Sequence, residues 1–162
     1  PAGSCVSFGT YLHGTQITVQ EIIPTSMRVS GIAVDPSDRL VSANLSAGTA
    51  VVRIGQGKTS VSFTNELLVT LELCKVAGTG VTNGTSFTFK VETQTYSVAA
   101  GSCTNAGTFT FGTEVTIQET VPGGMLVSDI TVNPSDRLIS TNLQAGSAVV
   151  KLGDGKTTVS FT

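Results

Sequence analysis

The 162 residues carry 9 Lys and Arg against 11 Asp and Glu, for a net charge of −2, and only 12 % of them are charged, about half the usual share. So sparse a charge, with no Lys/Arg cluster, argues against a nucleic-acid partner, and no apolar run is long enough to span a bilayer. Thr, Ser, Gly and Val dominate instead, a balance common in secreted surface proteins.

Residues 1–64 recur without a gap as residues 99–162. The offset is 98 throughout: Cys5 falls on Cys103, Met27 on Met125 and Phe63 on Phe161, and 38 of the 64 pairs are identical. A fixed period of this size marks tandem copies of one folding unit. Between the copies lies a 34-residue segment, Asn65 to Val98, that occurs once.

Along the chain, apolar residues alternate with period two, the mark of half-buried strands. In the first copy Ile17 and Val19 share one parity, as do Val61 and Phe63. In the unique segment Leu67, Val69, Leu71 and Leu73 share one face, then Phe87, Phe89 and Val91, then Tyr96 and Val98. The second copy repeats the pattern with Val115 and Ile117, Ile130 and Val132, Val150 and Leu152, and Val159 and Phe161. Turn signals separate these runs: Gly78-Thr79-Gly80, Asn83-Gly84, Pro122-Gly123-Gly124, Asn133-Pro134 and Gly153-Asp154-Gly155. No segment shows sustained helical periodicity. Seven or so short strands with turns every 8–12 residues predict an all-β fold of tandem Ig-like, antiparallel β-sandwiches.

The phase of the repeat follows from the strands. A unit opens near Glu66 with the strand Leu67–Lys75 and closes with Val159–Thr162. Residues 66–162 are then a complete sandwich, and residues 1–65 a partial one without its first strands. Asn65-Glu66 becomes a junction with almost no linker, which favours a semi-rigid rod. The missing strands are supplied by residues upstream of Pro1 or by a neighbouring subunit. A bare incomplete sandwich is disfavoured because raw sheet edges aggregate. Each chain has two copies of the 64-residue part and one of the 34-residue part, so strand exchange alone cannot complete every unit.

Three cysteines are present. Cys74 and Cys103 are 29 positions apart in the complete unit and read as a disulfide, which calls for an oxidising compartment. Cys5 is left unpaired or bridges to another chain; a buried free thiol is the plainer reading. No Cys/His cluster has metal-ligand spacing, and neither a metal nor a cofactor is expected.

Parity also turns polar groups inward. Glu119 shares the face of Val115 and Ile117, Glu21 that of Ile17 and Val19, Lys75 that of Leu71 and Leu73, and Asn65 that of Val61 and Phe63. Isolated charges facing an apolar core are costly and must be paired. The alternative for Lys75 is a solvated charge emerging at the strand end.

Strand-borne Lys75, the Thr-Ile-Gln-Glu-Thr-Val-Pro-Gly-Gly stretch Thr116–Gly124, and the Val-Ser-Phe-Thr-Asn ending at Asn65 resemble Cna-B-type (SpaA-like, prealbumin-like) repeats of Gram-positive adhesins and pilins. The resemblance covers the complete unit and all of the partial one, and its specificity lies in order and spacing. It implies a prealbumin-like sandwich in which a first-strand Lys joins a last-strand Asn as an isopeptide bond, promoted by a Glu. An apolar site lets a lysine amine be neutral and nucleophilic, and a protonated carboxylic acid polarises the Asn amide. The sequence departs from that pattern: the complete unit has Lys75 and Glu119, with the Asn position falling just after Thr162, whereas the first has Glu21 and Asn65 without a Lys strand.

Other motifs carry less. Gly55-Gln56-Gly57-Lys58 and Gly153-Asp154-Gly155-Lys156 lack P-loop spacing and read as hairpin turns. Asp35-Pro36-Ser37-Asp38-Arg39 and Asn133-Pro134-Ser135-Asp136-Arg137 read as turns in which Asp38 or Asp136 accepts hydrogen bonds from backbone or Arg, with a calcium site as the rival reading. His13 aligns with Phe111, which removes a general Ser-His-Asp arrangement. Asn44-Leu45-Ser46 and Asn83-Gly84-Thr85 match the glycosylation pattern. The sequence thus points to a subunit of an extracellular or cell-surface fibre, stalk or pilus-like filament that self-associates, with strand complementation as one route. The alternative is an adhesin module for a host protein or glycan, which would want an exposed aromatic platform; there is no Trp, and of the two Tyr, Tyr11 aligns with Phe109 and reads as core. No nucleophile–base pair or cofactor loop suggests an enzyme.

Overall fold

The structure, a computed structural model, describes residues 2–162 and is built of strands, with two short 3-10 turns. It divides into two compact units, Pro1–Glu66 and Leu67–Thr162. Strand β5 (Ser60–Lys75) contributes residues to both units. Among the described residues no helix is long and apolar enough to cross a membrane.

The second unit is a two-sheet sandwich. One sheet has β10 (Ile130–Asn133) beside β13 (Lys156–Phe161), β13 beside β5, and β8 (Ser102–Thr110) on the other side of β5. The facing sheet has the order β11 (Leu138–Asn142), β12 (Ser147–Lys151), β9 (Glu114–Thr120), β6 (Ser86–Val91), β7 (Gln94–Ala99). The period-two pattern decides what lies between them. Val69, Leu71 and Leu73 of β5 and Val159 and Phe161 of β13 meet Phe87, Phe89, Val115, Ile117 and Val150 of the facing sheet in one buried core. The rings of Phe89 and Phe161 bridge the sheets edge to face at 5.2 Å. Such a pair stabilises by roughly 0.5–1.5 kcal/mol beyond its buried area.

The expected antiparallel sandwich holds, with one parallel pair within it: β5 and β13 run side by side from Lys156 opposite Thr70 to Phe161 opposite Lys75. One expectation needs correction. The Gly153–Lys156 turn is not a hairpin: it carries the chain from β12 in one sheet to β13 in the other. Arg137 fixes that crossing. Its guanidinium donates to the Lys156 carbonyl at 3.0 Å, the Thr157 hydroxyl at 2.7 Å and the Asp154 carbonyl. Asp136 is not the partner the sequence suggested, because the 3-10 turn Ser135–Arg137 aims the arginine across the fold. Gly153 leaves the room: a Cβ there would lie 2.9 Å from Arg137 Nε. Arg39 makes the same three contacts, to Lys58, Thr59 and Gln56, in the first unit.

The first unit has the sheet β1 (Gln16–Gln20), β4 (Thr49–Arg53), β3 (Leu40–Asn44), and β2 (Met27–Asp35) beside β5. Its core is thin. Val34, Ala50 and Val52 are buried, with Ile17, Ile32, Val61 and Phe63 only partly so. The equivalents Val159 and Phe161 in the second unit are completely buried. The stretch Ser4–Leu12, equivalent to β8, forms no strand and exposes Val6, Phe8, Tyr11 and Leu12. Tyr11 is thus a surface residue, against the reading that placed it in a core.

Candidate latch sites on Glu119 and Glu21

Lys75 ends β5 and Glu119 lies in β9 of the opposite sheet, so each side chain enters the space between the sheets from its own side. Lys75 is 4 % exposed and Glu119 2 %. The ammonium donates to both carboxylate oxygens, at 3.0 Å to Oε1 and 3.1 Å to Oε2. Lys75 Nζ also sits 4.4 Å from the centre of the Phe87 ring, a distance at which the ring quadrupole attracts a cation. The solvated-charge alternative is therefore overturned. The strand does end at Lys75, but the side chain turns in beneath Phe87 instead of out. Phe87 carried no separate signal in the sequence, since its parity with Phe89 and Val91 marked it only as core.

A cleft of about 470 Å³ reaches this pair, bordered by Gly78–Val81, Met125, Leu126, Ser128 and Thr162. The parallel register places Thr162 there: Val76 N–H donates to the Phe161 carbonyl at 2.8 Å, and Thr162 N–H to that of Asp129 at 2.9 Å.

The first unit holds the complementary half. Asn65 follows Thr64 as the position after Thr162 would follow it, and its Nδ2 donates to Glu21 Oε1 at 2.6 Å. Glu21 Oε2 is shut off from solvent and has no hydrogen-bond partner among the described residues. Glu21 and Glu119 are the same position of the repeat. One carboxylate holds the amide, the other the amine. A buried acceptor left unsatisfied costs about 1–3 kcal/mol, more when charged. A cleft of about 640 Å³ in this unit is bordered by Ile23, Met27, Val29, Leu45 and the Arg28–Glu66 ion pair at 2.8 Å, but not by Glu21 or Asn65.

Cys74 and Cys103 are opposite one another on β5 and β8 and are joined as a disulfide, one residue before Lys75. Glu72 lies close to both sulfurs, but sulfurs bonded to each other are not thiolate ligands. Hydrogen bonds from Lys156, at 2.8 Å, and Thr158, at 2.9 Å, hold the Glu72 carboxyl below its ordinary value of 4.5. Cys5 is free and exposed. Asn83 and Asn44 are both at the surface, and Asn44 Oδ1 accepts from Ser46 Oγ and Ala47 N–H. Asn142 makes the same turn contact to Ala145 N–H without a following Ser or Thr at the acceptor position.

No family model matches the chain, and no curated protein does. Two solved structures are similar to it. A bacterial adhesin from Mobiluncus mulieris, containing intramolecular disulfide, isopeptide and ester bond cross-links, aligns over 76 % of this chain at 18 % identity and a TM-score of 0.49; the chain spans 54 % of that adhesin. A mutant of the major pilin from Streptococcus pyogenes aligns over 94 % of this chain and 71 % of its own at 10 % identity and a TM-score of 0.39.

Proposed function

We propose that this chain is part of an extracellular fibre or cell-surface stalk built from tandem β-sandwich units. In each unit an amide bond latches a lysine on the first strand to an asparagine just beyond the last. The observation that carries this reading is the pair of complementary half-sites: Lys75 on Glu119, and Asn65 on Glu21 at the equivalent position. Together they make one complete Lys–Glu–Asn set.

The chemistry balances within that set. A proton passes from the ammonium to the carboxylate over the 3.0 Å contact, which leaves a neutral amine. The amine nitrogen attacks the asparagine side-chain carbon while the carboxylic acid donates to the amide. A new C–N bond forms, the old one breaks, and ammonia departs with the proton that the glutamate returns. Burial of both side chains beside the Phe87 ring leaves little water to stabilise the charged pair.

The strand order suits a load-bearing role. Because β5 and β13 run parallel, tension entering at Leu67 and leaving at Thr162 shears their hydrogen bonds together instead of peeling them singly. The Cys74–Cys103 disulfide supports an oxidising, extracellular location. The wholly exposed strand β11 offers an edge for pairing with a neighbour.

Two measurements test the proposal. Appending one asparagine after Thr162 should lower the intact mass by one ammonia, and Glu119→Gln in that background should abolish the loss; an unreduced mass with native glutamate defeats the latch. Electron microscopy over a range of concentrations should show filaments or arrays, and dispersed particles at every concentration would sink the fibre.

A further inference from the structure

Glu72, Cys74 and Cys103 lie together on the face of β5 and β8 that is turned away from the core of the second unit. Cys103 is opposite Cys74 in the register, and Glu72 is two residues before Cys74, so alternation sends all three side chains to one side. Leu71 and Leu73 leave β5 on the other side and enter the core, and Lys75 follows their parity. The latch therefore makes no use of this face. A Glu72 carboxylate oxygen and the two sulfurs lie within 4.8 Å of one another.

The carboxylate is already held in place from the third strand. Lys156 Nζ and Thr158 Oγ1 of β13 both donate to Glu72 Oε2, at 2.8 Å and 2.9 Å, and Oε1 is left for another partner. Hydrogen bonds of this kind orient a carboxylate that ligates a metal. Cys74 is buried and Cys103 exposed, so solvent reaches the group from the β8 side.

We propose that Glu72, Cys74 and Cys103 form a binding site for a zinc-type divalent cation once the disulfide is opened, so that a metal takes over the bridge between β5 and β8. A dithiol reductant opens it. The S–S bond breaks, two electrons and two protons pass to Cys74 and Cys103, and the reductant becomes a disulfide. Zinc then displaces the two thiol protons. Two thiolates and a carboxylate suit zinc, whereas calcium and magnesium take oxygen ligands. With bonds of about 2.3 Å to sulfur and 2.0 Å to oxygen, a tetrahedral ion sets its sulfurs about 3.8 Å apart and sulfur about 3.5 Å from oxygen. Side-chain rotation brings the three ligand atoms to that spacing, because the ladder keeps the two cysteines opposed. Three anionic ligands exceed the charge of the ion by one, and the Lys156 ammonium on Glu72 offsets the excess. Water takes the fourth position. The oxidised unit thus has the covalent bridge and no site, and the reduced unit has the site.

The test uses the full chain carrying Cys5→Ser, which removes the exposed free thiol. It is reduced with a dithiol, freed of the dithiol without oxygen, and titrated with Zn2+ against a chromophoric chelator. One zinc should bind per chain with release of two protons, and the oxidised chain should not compete with the chelator. Glu72→Gln should weaken binding by more than about tenfold. Hydrogen exchange at Leu71 and Leu73 follows the fold of the reduced unit. Where reduction lowers protection there, zinc should restore it in the parent and fail to do so in Glu72→Gln. No binding by the reduced chain, equal binding by the oxidised chain, equal affinity with Glu72→Gln, or a reduced unit that zinc leaves unprotected would each overturn the proposal.

Discussion

Breaking the Lys75–Glu119 pair from either side should be among the most damaging single changes available to the second unit. Both side chains are almost fully buried, and the ammonium has two carboxylate contacts and one ring face as its surroundings. Glu119→Leu strands a buried ammonium, and Lys75→Met a buried carboxylate. Each should cost about 3–5 kcal/mol, on a unit whose whole stability is of the order of 5–15 kcal/mol. The double variant Lys75→Met/Glu119→Leu replaces the pair with apolar side chains of similar volume and should return to within about 1 kcal/mol of the parent. Hydrogen exchange read at the amides of Val69, Leu71 and Leu73 reports the unit without interference from the first. Protection there should fall by about two to four orders of magnitude in each single variant, at about 1.36 kcal/mol per tenfold, and recover in the double. Single variants that each cost under about 1 kcal/mol would mean that water reaches the pair, and the buried-site argument would fail.

Removing the disulfide by Cys74→Ser/Cys103→Ser should destabilise the second unit by about 3–4 kcal/mol on the loop-entropy estimate for a separation of 29 residues, read as a lowered denaturation midpoint that reductant does not lower further. Arg137→Ala should cost about 2–3 kcal/mol, because it leaves the completely buried Thr157 and two carbonyls without their donor; Arg137→Lys should recover only part of this, lacking the fork that reaches all three. For Glu72 the sign follows from a carboxyl held below its ordinary value of 4.5 by Lys156 and Thr158. Its contribution is present above that pH and lost as pH falls through the lowered folded value. Acid titration of Glu72→Gln should therefore show a shallower decline of stability below pH 4.5 than the parent, and parallel curves would assign the acid sensitivity elsewhere.

How far the sequence revealed this molecule depended on burial. Strands with one face in the core, such as β6 and β12, were legible because Phe87, Phe89 and Val91, or Val150 beside Leu152, leave a clear period of two. Strands β3 and β11 were missed because every residue in them is exposed, so nothing forces their side chains to alternate. Strand β8 was missed for another reason. Its Thr-Asn-Ala-Gly-Thr composition is strand-like only where β5 pairs with it, and the related Ser4–Leu12 forms no strand. Parity did turn Lys75, Glu119, Glu21 and Asn65 inward, but it could not show that Lys75 would stop beneath Phe87. The parallel pairing of β5 and β13 was also out of reach, since alternation is the same for either strand direction. The Arg137 clasp did leave a trace: both copies place an arginine 19 and 20 residues before a Lys-Thr pair.

Pulling the asparagine-extended chain end to end in a single-molecule force experiment, under reducing conditions, tests the central claim most directly. With native Glu119 the latch joins the ends of β5 and β13, and residues 76–162 should add no contour length at any force short of covalent rupture. With Glu119→Gln the same residues should unravel and add roughly 300 Å, at about 3.4 Å per residue. A step of that size in the protein with native Glu119 would contradict the account.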